Sequence, residues 1–73
     1  MHYRLGLRKL YSELTGAVNQ GLIVTAKRYH MELEGYILAL FYTGTINYKR
    51  YVDYRYLFHL KFAEVYNNDF KRL

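Results

Sequence analysis

The stretch GTINYKRYVDYRYLFHLKF, Gly44 to Phe62, decides the fold, because it carries two periodicities at once. Val52, Tyr54, Tyr56, Phe58, Leu60 and Phe62 alternate with Asp53, Arg55, Leu57, His59 and Lys61, the pattern of a half-buried β-strand. The same letters place Val52, Tyr56, His59, Ala63, Tyr66 and Phe70 at helical spacing. Several features favour the helix. Gly44 can end a preceding helix in the left-handed conformation, Ile46 can staple, and Asn47 can cap a new helix beginning at Tyr48. Alternation stops at Phe62 while helical spacing continues to Phe70, and no two-residue hairpin signal precedes the run. The strand preference of Tyr and Phe pulls the other way. It supports an alternative α+β fold, an N-terminal helix followed by a small antiparallel sheet.

Upstream, GLIVTAKRY (Gly21 to Tyr29) reads as a variant of the same turn carrying one extra residue. Thr25 would cap, and Val24 would staple to Tyr29 as Ile46 does to Tyr51. Before this turn, Tyr3, Leu7, Leu10, Leu14, Ala17 and Gly21 recur at three-four spacing with Tyr11 and Val18 beside them, an amphipathic helix weakened at Gly6 and Gly16. Between the turns, Ala26, Tyr29, Leu33, Tyr36 and Leu40 form one apolar face and Met31, Gly35, Leu38 and Tyr42 another. The reading is an all-α fold: a small three-helix up-down-up bundle forming a single domain over residues 1–73, with helices over about 3–20, 26–42 and 48–68.

A chain of 73 residues builds one core. A core of that size supplies roughly 3–5 kcal/mol and calls for a staple. With no cysteine there is no disulfide, thiolate metal site or cysteine nucleophile, which leaves self-association. The second apolar face of the middle helix, Met31, Gly35, Leu38 and Tyr42, is therefore the expected homodimer surface. The longest apolar run, Tyr36 to Tyr42, is too short for a membrane span. Arg4, Arg8 and Lys9 are followed by no signal-peptide core, so a cytoplasmic location is expected.

Catalytic chemistry finds no foothold. There is no phosphate loop, dinucleotide fingerprint, nucleophile elbow or zinc signature, and Ser12, the only serine, has no histidine near it in sequence. His30 and Glu34 are spaced i, i+4 and suit a metal only with a further ligand such as His59 or His2; a helix-surface pair is the simpler reading. Glu13, Glu32, Asp53 and Glu64 are scattered. A chain this short struggles to enclose a substrate, so no enzymatic activity, cofactor, metal or small-molecule substrate is expected.

Basic residues say more. Eleven Lys and Arg against six Asp and Glu give a net charge of +5 and a pI near 9.6. Lys27-Arg28 and Lys49-Arg50 each fall in the first turn of an expected helix, where the dipole disfavours cations by about 0.3–1 kcal/mol. Such breaks of a local rule can mark function. In an up-down-up bundle the starts of the first and third helices share one end, which would gather Arg4, Arg8, Lys9, Lys49, Arg50 and Arg55, while Lys27, Arg28, Lys71 and Arg72 lie toward the other. Tyr48 and Tyr54 interleave with the first group as stacking partners. The sequence thus favours a small non-enzymatic regulator that binds nucleic acid through a basic end. The alternative is a protein-interaction module, adaptor or inhibitor that docks on an acidic protein surface through Tyr and Arg.

Overall fold

The computed structural model describes residues 3–71, with side chains described through Asn67. Helix α1 runs Tyr3–Asn19, α2 Ile23–Tyr42 and α3 Tyr48–Lys71, with no strand among the described residues. Each helix packs on both others, so the chain is a small all-α bundle. The core is Leu7, Leu14, Ala17 and Val18 from α1, Ala26, Leu33 and Ile37 from α2, Phe58 and Val65 from α3, and Ile46 from the second turn. Tyr3, Leu10 and Tyr11 pack against it as their spacing predicts.

Both turns end their helix by the same device. Gly21 and Gly44 hold φ of 70° and 75°, the left-handed region that glycine enters without a Cβ penalty. The Leu22 N–H donates to the Ala17 carbonyl (2.9 Å) and the Gly21 N–H to that of Val18 (3.0 Å); Thr45 to Leu40 (2.9 Å) and Gly44 to Phe41 (3.0 Å) repeat the pattern. These are paired Schellman caps.

The turns differ in how the next helix starts. At α3 the Arg50 N–H donates to Asn47 Oδ1 (2.8 Å), Ile46 is buried and Tyr51 packs against the core, so cap and staple stand where the spacing puts them. At α2 they do not. Leu22 is the N-cap, its carbonyl accepts the Ala26 N–H (2.8 Å), and no side chain caps the helix. The expected Thr25 cap and Val24 staple are corrected accordingly: Thr25 lies within the helix and Val24 is 84% exposed. The reason is burial. A start at Ile23 puts Ile23, Ala26, Leu33 and Ile37 on the core side. A cap is worth about 1 kcal/mol, and burying an aliphatic side chain fully about 1.5–3, so partial burial of Ile23 suffices. Lys27 and Arg28 then move to the second turn, beyond most of the dipole's reach, and of the two pairs Lys49-Arg50 alone occupies a first turn.

The alternation in α3 is two helical rows superimposed. Tyr54, Phe58 and Phe62, four apart, face the core; Val52, Tyr56 and Leu60, also four apart, are exposed. The helix is therefore as expected, but its buried face is a different one. The row Val52, Tyr56, His59 and Tyr66 faces outward, because Tyr51, Tyr54, Phe58, Phe62 and Val65 carry more apolar area into the core. Phe70 belongs to that row but lies beyond the described side chains.

Candidate nucleic-acid interface

The starts of α1 and α3 and the end of α2 do share one end of the bundle. The Tyr36 hydroxyl of α2 donates to the Tyr3 carbonyl at the start of α1 (3.2 Å), and its ring lies against Gly6, where any Cβ would overlap it. The glycine that weakens α1 thus admits the tyrosine that positions it. On the α3 side the Asn47 cap fixes the first turn, which carries Lys49 and Arg50.

A shallow groove of about 240 Å³ runs between α1 and α3, lined by Arg4, Leu7, Arg8, Tyr11, Tyr54, Leu57 and Phe58. Its floor is an aromatic row. Tyr54 stacks on Phe58 at 5.8 Å, and Tyr11 meets Phe58 in a tilted contact at 5.8 Å. Leu57 is 45% exposed, so the groove offers apolar surface to solvent. No acid lines it.

Arginine dominates its electrostatics. The Arg4 guanidinium stands 5.9 Å from the Tyr3 ring centroid. Arg4 holds the Tyr3 hydroxyl below its ordinary pKa; burial opposes this, and Arg50, reaching across from α3, adds to it. Reciprocally, Tyr3 and then Tyr54 hold Arg4 above its ordinary value. Arg4, Arg50, Tyr3 and Tyr54 therefore form one neighbourhood, with Arg8 further along the groove. Farther along, Lys61 pairs with Glu64 (Nζ to Oε2 3.1 Å), which holds it above its ordinary pKa, with a smaller push from Tyr11.

Of the residues that the sequence nominates, Arg4, Arg8, Arg50 and Tyr54 are brought together. Lys9 and Lys49 are exposed on the same two helices but do not line the groove. Arg55 lies on the α2 side of α3, 3.8 Å from Glu34, and Tyr48 packs on Phe41 (5.8 Å) and Tyr51 (6.4 Å). Of the opposite group, Lys27 and Arg28 are exposed near the start of α2; Arg72 and the Lys71 side chain lie outside the described residues. Sequence reasoning passed over Tyr11 and Leu57 as groove residues. Their signal was present as two stripes, Arg4-Arg8-Tyr11 and Arg50-Tyr54-Leu57, each at i, i+4, i+7.

His30 Nε2 and Glu34 Oε1 stand 3.7 Å apart, too far for a hydrogen bond, and the buried Nε2 of His30 has no hydrogen-bond partner among the described residues. Its ring stacks on Phe62 at 4.8 Å, with His59 at 6.3 Å. Among the described residues no three His, Asp or Glu side chains converge as metal ligands, and no helix is long and apolar enough to cross a membrane. His2 lies outside the described residues.

No family model, curated protein or solved structure matches this chain.

Proposed function

We propose that this protein is a small non-enzymatic, cytoplasmic regulator that binds single-stranded nucleic acid along the α1–α3 groove, in a sequence-tolerant way. One observation carries the reading: Arg4 and Arg8 line, with Tyr54, Leu57 and Phe58, a groove that contains no acid, and Arg50 joins them through Tyr3. Guanidinium groups neutralise phosphates and release counterions, while an aromatic and aliphatic floor accepts the face of any base. A groove of about 240 Å³ suits an unpaired base better than a duplex, whose bases are already stacked.

The same reading makes the protein a homodimer through the outer face of α2. Met31 and Tyr42 are 61% and 76% exposed there, and a small core gains most from association.

Fluorescence anisotropy with a labelled mixed-sequence single strand and its duplex, at about 50 and 200 mM salt, tests the function. The single strand should bind more tightly, with a slope of log affinity on log salt of about −2, from roughly three phosphate contacts. No binding of either at low salt would reject this function and favour an acidic protein partner.

A further inference from the structure

The two ends of the α1–α3 groove differ, and the difference bears on what else can enter it. Arg4 and Arg8 line it toward the start of α1. Arg50 lies one turn before Tyr54 on the same side of α3, and it acts on the Tyr3 hydroxyl next to Arg4. At the other end the lining is Tyr11, Leu57 and Phe58, where Tyr11 meets Phe58 at 5.8 Å. The next cation beyond Phe58 on α3, Lys61, is already paired with Glu64 at 3.1 Å. Free positive charge therefore stands at one end and apolar surface at the other, about 10 Å apart from Arg4 to Tyr11 along α1.

The acids around this end do not cancel the charge. Asp53 sits one turn beyond Lys49 and Arg50 on α3, but it is exposed, is not part of the lining and forms no ion pair among the described residues. On α1 the first acid is Glu13, past Tyr11 and outside the lining; on α2 the last is Glu34, which meets Arg55 instead. Three guanidinium groups against the one carboxylate of Asp53 leave two positive charges, before the exposed Lys9 and Lys49 are counted.

A strand uses such a groove by running successive phosphates across the charged end and laying one base on the floor. A free nucleotide uses it lengthwise, because all of its phosphate lies on one side of its base. We infer that the groove also takes a nucleoside 5′-diphosphate, its phosphates at Arg4, Arg8 and Arg50 and its base on the apolar surface of Tyr54 and Leu57, and that this ligand competes with the strand. Guanidinium groups suit phosphate because they donate paired hydrogen bonds to its oxygens, and a base offers its face to any aromatic or apolar neighbour. Two linked phosphates answer three guanidinium groups better than one phosphate does. The competition rests on the proposed strand binding; the binding of the nucleotide does not.

Equilibrium dialysis at about 50 mM salt without divalent cations, against a nucleoside 5′-diphosphate, the same nucleoside and pyrophosphate, tests the binding. The diphosphate should bind at least tenfold more tightly than pyrophosphate, and the nucleoside more weakly still. Arg4→Gln should weaken the diphosphate and pyrophosphate alike, at least fivefold. Leu57→Asp, at an exposed position that the fold tolerates, should weaken the diphosphate at least tenfold and pyrophosphate less than threefold. In anisotropy the diphosphate should displace a labelled single strand from the protein.

Pyrophosphate binding as tight as the nucleotide would overturn the inference, since the site would then be a patch for any anion. Strand binding with no nucleotide binding would overturn it and leave the proposed function standing. A bound nucleotide that fails to displace a bound strand would overturn the shared groove. Nucleotide binding weakened by both variants would uphold it even if no strand binds, and would then reject the proposed function alone.

Discussion

The α1–α3 groove and the outer face of α2 expose the same kinds of residue, tyrosine, leucine and arginine, yet the structure gives them different characters. In the groove Arg4 and Arg8 stand with Tyr54, no acid is among the described lining residues, and Arg50 acts on Tyr3 next to Arg4, so positive charge is left over. Beside α2, Arg55 meets Glu34 at 3.8 Å, and the outer face from Met31 through Gly35 and Leu38 to Tyr42 is apolar, with Arg28 one turn before it. Composition is thus a poor guide to what a surface recognises. The placement of one carboxylate decides whether an Arg and Tyr surface offers charge to an anion or shape to another protein.

The sharpest way to break this comparison is to charge the neutral face alone. Leu38→Glu should abolish self-association through the outer face of α2, at least a hundredfold in the dimer constant, since each copy would have to desolvate a carboxylate in place of apolar surface. Affinity of the groove for a short single strand should change less than about threefold, because the new charge is remote and screened. Equal loss of both in sedimentation and anisotropy would mean that the two faces act as one.

Next comes the wedge that sets α1 in place. Gly6→Ala drives a methyl into Tyr36, at a cost of about 1–3 kcal/mol in urea unfolding, whereas Gly16→Ala, which meets nothing, should stabilise by up to about 1 kcal/mol. Similar effects at the two glycines would show that Tyr36 does not position the start of α1.

The two turns give a smaller contrast. Asn47→Ala should cost about 1 kcal/mol, and Thr25→Ala under about 0.5, because Asn47 caps α3 whereas Thr25 does not cap α2. A Thr25 effect as large as that of Asn47 would restore the cap that the sequence suggests.

Smallest is the response to acid on the α2–α3 side. Burial holds the His30 pKa below its ordinary value, Glu34 opposes this and His59 adds to it, with Arg55 beside Glu34. A depressed folded-state pKa contributes stability that is complete above the unfolded value, about 6.5, and is lost as pH falls below it. The melting temperature should therefore drop between about pH 7 and 5.5, and His30→Leu should flatten that drop. An unchanged slope in the variant would assign the pH response to other groups.

The bundle was legible in the sequence because glycine turns and apolar spacing are local signals. Leu7, Leu14, Ala17 and Val18 could be read from α1 alone, as could the cap at Asn47. Less legible was whatever depends on how helices face one another. Thr25 has a capping side chain, but Ile23 takes α2 into the helix earlier by burying against the core. The Val52-Tyr56-His59 row has the same spacing as the buried row, and only packing against α1 and α2 selects the latter. Arg55 joins the basic end by position along α3 but leaves it by angle, since it points toward Glu34. Tyr11 looks like a core residue in sequence and Leu57 like a member of the outward row, yet both line a groove, because two helices meeting side by side leave a furrow between them.

The central claim is that charge at the basic end acts as a groove and not as a diffuse field, and one anisotropy titration tests it directly. Arg8→Glu with Arg50→Glu is compared with Lys9→Glu with Lys49→Glu. The two double variants change net charge equally on the same two helices, but Arg8 lines the groove and Arg50 stands beside Tyr3, whereas the lysines do not line it. The arginine pair should lose about a hundredfold or more in single-strand affinity at low salt, and its salt slope should fall by about 1.4, from two lost phosphate contacts. The lysine pair should lose less than about tenfold, as a field effect screened by salt. Equal losses would contradict the groove in favour of a diffuse field, and full binding by the arginine variant would remove the groove as the site.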